Sequence, residues 1–162
     1  MAVMRTLLAV PAALLALGVL GGCGGGDPAE TLPESRRAVR TTVEQVASSL
    51  EDTAEVVDAA GQWSVCSAGT SDRLEYAASL GLRAQGDPVA LVRAVGERMG
   101  KDGWEVTDEG DTSVNLERDG MRASASPSVS DDGQVVVEVS GGCVDGSRDD
   151  VDSLEPQPID VG

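Results

Sequence analysis

The run from Arg73 to Ala84 alternates without a break, and that period of two restricts the fold more than any other stretch. Leu74, Tyr76, Ala78, Leu80, Leu82 and Ala84 fall on one side, with Arg73, Glu75, Ser79 and Arg83 on the other. This is the pattern of a strand with one face in a core and one in water. The chain must therefore supply further strands to pair with it and a layer to cover its apolar side.

The further strands are readable. Ser113 to Arg118 and Met121 to Ser126 flank Asp119-Gly120, a two-residue turn favoured in hairpins. That turn pairs Leu116 with Ala123 and Val114 with Ala125 on one face, and sets Glu117 opposite Arg122 on the wet face. Asp131-Asp132-Gly133 reverses the chain again, and Gln134 to Ser140 is a strand with Val135, Val137 and Val139 inward. Trp104-Glu105-Val106 begins another, with Trp104 and Val106 on the same side.

Two helices are expected as the covering layer. Thr31 is positioned to cap the first, with Pro33 in its opening turn and Glu34 at the capping-box position. Val39, Val43, Val46, Leu50, Ala54 and Val57 follow at steps of three or four, which predicts a helix to about Ala59, ended by Gly61. Packing on the protein's own sheet accounts for this stripe better than a partner-binding coiled coil. Asp87-Pro88 opens the second helix, with Leu91, Val95 and Met99 inward and Gly100 and Gly103 at its end. The expected fold class is α+β in two layers: two helices on one face of a four-stranded, mainly antiparallel sheet, in the order helix-strand-helix-strand-strand-strand. From Asp145 onward the chain is rich in acids and carries two prolines, so residues 145–162 read as a disordered tail. The domain proper then covers residues 34–144.

The N-terminus carries an address. Arg5 is the sole charge before an apolar run from Leu7 to Leu20, which Pro11 interrupts and which falls short of the about 20 residues a membrane span needs. Leu20-Gly21-Gly22-Cys23 closes it and closely resembles the lipobox of bacterial lipoproteins. The resemblance implies a signal peptide over residues 1–22, thioether lipidation of Cys23, and acylation of the new N-terminal amine. It places the domain on the extracytoplasmic face of the cell membrane. Residues 23–33, with three successive glycines and two prolines, read as a flexible tether.

With Cys23 lipidated, Cys66 and Cys143 remain as a pair in an oxidising compartment, and their spacing fits no zinc pattern. A disulfide between them stabilises by roughly 4.5 kcal/mol in the chain-entropy model. The formal net charge is −16, and the lone basic residue of the leader is lost on cleavage. Nucleic acid is thereby excluded as a partner, since its binding rests on cationic contacts to phosphate. The charge also favours a domain standing off anionic headgroups, held only by its lipid.

Chemistry is sparse. There is no His and no Phe, and Lys, Asn and Ile each occur once (Lys101, Asn115, Ile159), as a GC-rich genome produces. No imidazole is available as base, shuttle or ligand. Ser64 and Ser67 flank Cys66 but lack a nucleophile elbow and an activating base, and Lys101 sits at a helix end among glycines. Asp108-Glu109-Gly110-Asp111 and Asp145 to Asp152 lack the spaced ligands of a calcium loop. No catalytic residue, metal site or cofactor is expected. Trp63, Tyr76 and Trp104 are candidate anchors for a ligand or partner, although Tyr76 and Trp104 fall on core faces.

Gly61-x-Trp63-x-x-Cys66, Tyr76, Gly103-Trp104-x-Val106 and Ser140-Gly141-x-Cys143-Val144 together resemble a group of small actinobacterial lipoproteins of unknown role. The resemblance implies a location and a fold and carries over no functional residues. The functional expectation is a non-catalytic accessory or protein-binding module of the cell envelope, with an envelope protein as partner at its sheet or first helix. The alternative is a small-ligand carrier or sensor with a pocket between helices and sheet.

Overall fold

The computed structural model describes residues 27–66 and 73–161; the leader, Cys23, the first residues of the tether and Ser67 lie outside the described residues. The elements run α1 (Pro28–Ser49), β1 (Ala54–Val65), β2 (Arg73–Ala84), α2 (Pro88–Lys101), β3 (Glu105–Glu109), β4 (Val114–Arg118), β5 (Met121–Pro127), β6 (Gln134–Asp145), a 3-10 turn (Arg148–Asp150) and β7 (Gln157–Pro158). The α+β class and the antiparallel sheet with two helices stand. The sheet, however, has seven strands rather than four, in the order β3-β4-β5-β6-β2-β1-β7, and two strands rather than one separate the helices.

The first helix departs from expectation at both ends. Its cap is Asp27, whose carboxylate accepts from Ala29 N–H at 2.9 Å with Pro28 at the first helical position. The same Asp-Pro pair opens α2, where Asp87 accepts from Val89 N–H. The helix thus starts inside the segment expected to be tether, and Pro33 lies within it. At the other end Leu50, only 1% exposed, closes the helix, and Ala54 N–H turns back to the Leu50 carbonyl.

Ala54 and Val57 belong to β1, not to the helical stripe. β1 pairs with β2 along its length, with a bulge between Val56 and Asp58. Before the bulge Ala54 and Val56 oppose the core-facing Ala84 and Leu82; after it Ala59, Gly61, Trp63 and Val65 oppose Leu80, Ala78, Tyr76 and Leu74. The bulge shifts the alternation by one residue, so the period of two is broken in the sequence although it is kept in space. Gly61 lies in mid-strand rather than at a helix end.

The β4–β5 hairpin pairs Val114 with Ala125, Leu116 with Ala123 and Glu117 with Arg122, in the register expected. Asp119 and Gly120 both take positive φ at the turn, which the small polar residue tolerates and glycine favours. Both helices pack on the same side of the sheet, α1 against β6 and β2 and α2 against β5 and β4. One continuous core results, built around Val39, Val43, Leu80, Val95, Val137 and Leu116. Val106 pairs with the inward Leu116 but is 43% exposed, because β3 is an edge strand running past the cover of α2. Trp104 is buried just ahead of that strand, its N–H bonded to the Met99 carbonyl and its ring under the Arg118 guanidinium at 4.8 Å.

Residues 145–161 do not form the expected disordered tail. β7 adds to the outer edge of β1, Ile159 N–H bonds the Ala59 carbonyl at 2.9 Å, and the Ile159 side chain joins the core. Val151, Leu154 and Val161 pack against it. These apolar residues, spaced among the acids, supply the burial that composition alone conceals.

Candidate functional site

Cys66 and Cys143 form a disulfide with Cα atoms 6.2 Å apart, joining the ends of the two strands that flank β2. Arg73, at the start of β2, donates to the Cys143 carbonyl and pairs with Asp145 at 3.6 Å. The bridge therefore fixes one end of the sheet.

The helices leave the other sheet face uncovered. Antiparallel register places Gln62, Ala77, Ser140 and Arg122 there in adjacent strands, with Ser79, Glu138, Ser124 and Asn115 in the next row. This face is concave, with a hollow of about 500 Å³ floored by Ala60, Ala77, Ser79, Ser124 and Ser140. The small side chains of the floor leave the hollow open. Arg122 turns away from its expected partner Glu117 on β4 and reaches across β6 to Glu75 on β2 at 2.9 Å. That leaves the side chains of Glu117 and Glu138 on the hollow without a hydrogen bond or ion pair among the described residues. The face is small-residue and net acidic.

The three aromatic candidates are all in the core rather than on a docking surface. Trp63 and Tyr76 are cross-strand partners and meet edge-to-face with ring centres 5.0 Å apart. Burial pushes the Tyr76 hydroxyl above its ordinary pKa, opposed by the positive charges of Arg40 and Arg36.

The remaining candidates stay apart. Ser64 is exposed on β1 and Lys101 is exposed at the end of α2. Asp108 accepts from the Asn115 amide at 3.4 Å, and Asp150 accepts from the Ser147 backbone N–H and hydroxyl, which hold its carboxyl below the usual range. Among the described residues no group of three or more His, Cys, Asp or Glu is placed to hold a metal ion.

Sequence reasoning missed the β1 contribution to the open face, Ala60 and Gln62, because they fell at the expected helix end and in the irregular stretch leading to Cys66. It missed Pro156 on the rim because that segment read as tail. Comparison with family models, with curated proteins and with solved structures finds no match to the chain.

Proposed function

We propose that the chain is a lipoprotein anchored at the outer face of the cell membrane through Cys23, and that it is a non-catalytic envelope module. Its uncovered sheet face docks a protein partner whose contacting surface carries Lys or Arg. The observation that carries the docking reading is the one-sidedness of the fold: both helices lie on one face, and the other is a concave sheet surface with unpaired Glu117 and Glu138. A large exposed apolar patch does not support it, since Val57 on β1, Val106 on β3 and Val129 in the loop after β5, the exposed large hydrophobics among the described residues, lie apart in the chain. None is needed, because non-obligate interfaces are about as apolar as the rest of the surface. The first helix is less suited to docking, its apolar stripe being spent on β6 and β2. A carrier with its pocket between helices and sheet has less support, because Val39, Val43, Leu80, Val95 and Val137 fill that layer.

Anchoring is supported by the Leu20-Gly21-Gly22-Cys23 motif. At about 3.5 Å per residue, the segment from Cys23 to Pro28 would keep the domain close to the headgroups. Photocrosslinking in living cells from Ser124, on the open face, and from Thr41, on the exposed side of α1, tests the docking. A protein adduct from Ser124 alone, abolished by Ala77→Arg, is expected; adducts from neither position, or from both equally, overturn it. Mass spectrometry of the membrane-extracted chain is expected to find diacylglyceryl on Cys23, and a bare cysteine there ends the anchoring proposal.

A further inference from the structure

A second concavity, of about 340 Å³, lies on the helix side of the sheet edge, between α1, β1 and the C-terminal segment. That volume is at the lower end of small-molecule sites. Arg36 and Arg40, one turn apart on α1, form one wall. Tyr76, only 3% exposed, lines the floor, and its hydroxyl reaches the cleft by passing over Gly61. Neither arginine makes an ion pair or hydrogen bond to a described residue, and neither does the Tyr76 hydroxyl. The hydroxyl oxygen is open to the cleft rather than sealed in the core, so a ligand or water entering there supplies its partner. Both arginines line the same cleft as that hydroxyl, and their positive charges act on it.

The opposite wall carries Asp152 and Glu155. A dianion such as phosphate would meet two carboxylates there, whereas a molecule with one negative and one positive end would be complementary to both walls. We propose that this cleft binds a zwitterion of amino-acid or dipeptide size, its carboxylate held by Arg36, Arg40 and the Tyr76 hydroxyl and its ammonium directed to Asp152 and Glu155. Paired guanidinium donors suit a planar carboxylate. The proposal does not rest on docking at the open face: the two concavities adjoin at Gly61 and Gln62 but share no charged residue.

Trp63 lines the same cleft against Tyr76, so its fluorescence reports occupancy. Alanyl-alanine is titrated into the full-length, detergent-solubilised protein and followed by fluorescence and calorimetry. The blocked forms, N-acetylated and C-amidated, and inorganic phosphate are titrated in parallel. Saturable binding of the dipeptide is expected, weakened about tenfold or more by blocking either end. Arg40→Gln and Tyr76→Phe are each expected to weaken binding by a similar factor, with the thermal midpoint checked for each. Because Arg36 is exposed, Arg36→Gln gives a further reading that does not disturb the core. Absence of saturation at about 10 mM dipeptide, a range where even weak small-ligand sites fill, overturns the proposal. So does tighter binding of phosphate, or binding that survives Arg36→Gln and Arg40→Gln together.

Discussion

The Tyr76 hydroxyl crosses the β1 backbone at Gly61 so closely that a β-carbon at that position would lie 2.2 Å from the hydroxyl oxygen and 2.7 Å from the ring carbon bearing it. The ring is held by burial and by Trp63, so it has little room to withdraw. Gly61→Ala is therefore expected to destabilise the domain by about 1–3 kcal/mol through overpacking. Urea denaturation checks it, and Tyr76→Leu in the same chain is expected to reduce the added cost of the alanine. A neutral Gly61→Ala would show that the ring moves freely.

The buried end of the C-terminal segment gives a second test. Ile159 is 5% exposed and bonds through its N–H to the Ala59 carbonyl. Ile159→Ala is expected to lower stability by about 2 kcal/mol, the low end for deleting a buried aliphatic side chain, because the site lies at the sheet margin. Truncation after Ser147 would also uncover the outer edge of β1, where β7 pairs, and is expected to promote association between chains, visible by light scattering. A freely solvated tail would be removable without effect on either measurement.

These two residues also show what was legible in the chain and what was not. The hairpin register followed from Asp119-Gly120 because turn chemistry and alternation are both local. The β2 pattern was readable because the bulge in its pairing with β6, between Glu75 and Ala77, puts the extra residue on β6 and leaves β2 alternating from Leu74 to Leu82. β1 was hidden because its bulge at Val57 shifts the period, so its apolar residues coincided with helical spacing to Val57. Ile159 was hidden because a two-residue strand has no period at all, and surrounding acids dominate the composition. The open face followed from neither, since it depends on both helices choosing one side. The arginine cleft joins α1, β1 and the C-terminal segment, which only the tertiary fold brings together.

The Cys66–Cys143 bridge spans 77 positions. Reduction, or the paired Cys66→Ser and Cys143→Ser change, is expected to destabilise the fold by up to the roughly 4.5 kcal/mol of the chain-entropy model, chiefly by freeing the unfolded chain. Denaturant midpoints with and without reductant measure it. An unchanged midpoint would mean that the remaining contacts already fix that end of the sheet.

α1 packs tightly on β6 at Ser35, whose hydroxyl is buried without a hydrogen-bond partner opposite Gly141. Ser35→Ala removes an unsatisfied polar atom and improves helix propensity, so it is expected to stabilise by about 0.5–1 kcal/mol. Gly141→Ala is expected to do the opposite, because a β-carbon there would lie 2.6 Å from that oxygen and 3.1 Å from Val39. The two variants combined test the contact directly: with the hydroxyl gone, alanine at position 141 is expected to cost less than it does alone. Thermal unfolding of the four chains provides the cycle.

Tyr76 is the only tyrosine, so tyrosinate absorbance reads its ionisation without interference. Burial raises its pKa above the ordinary 10.0, against the smaller opposing influence of Arg40 and then Arg36. The folded protein thus keeps the phenolic proton at a pH where the unfolded chain has begun to lose it. That contribution to stability is whole below pH 10.0 and is lost as pH rises through the folded-state value. Arg40→Gln removes a positive charge that favours the phenolate, so the absorbance midpoint is expected to move to still higher pH. Arg36→Gln is expected to move it the same way by less. A midpoint that falls on either substitution, or does not respond, would mean that the two guanidinium groups do not act on the hydroxyl over Gly61.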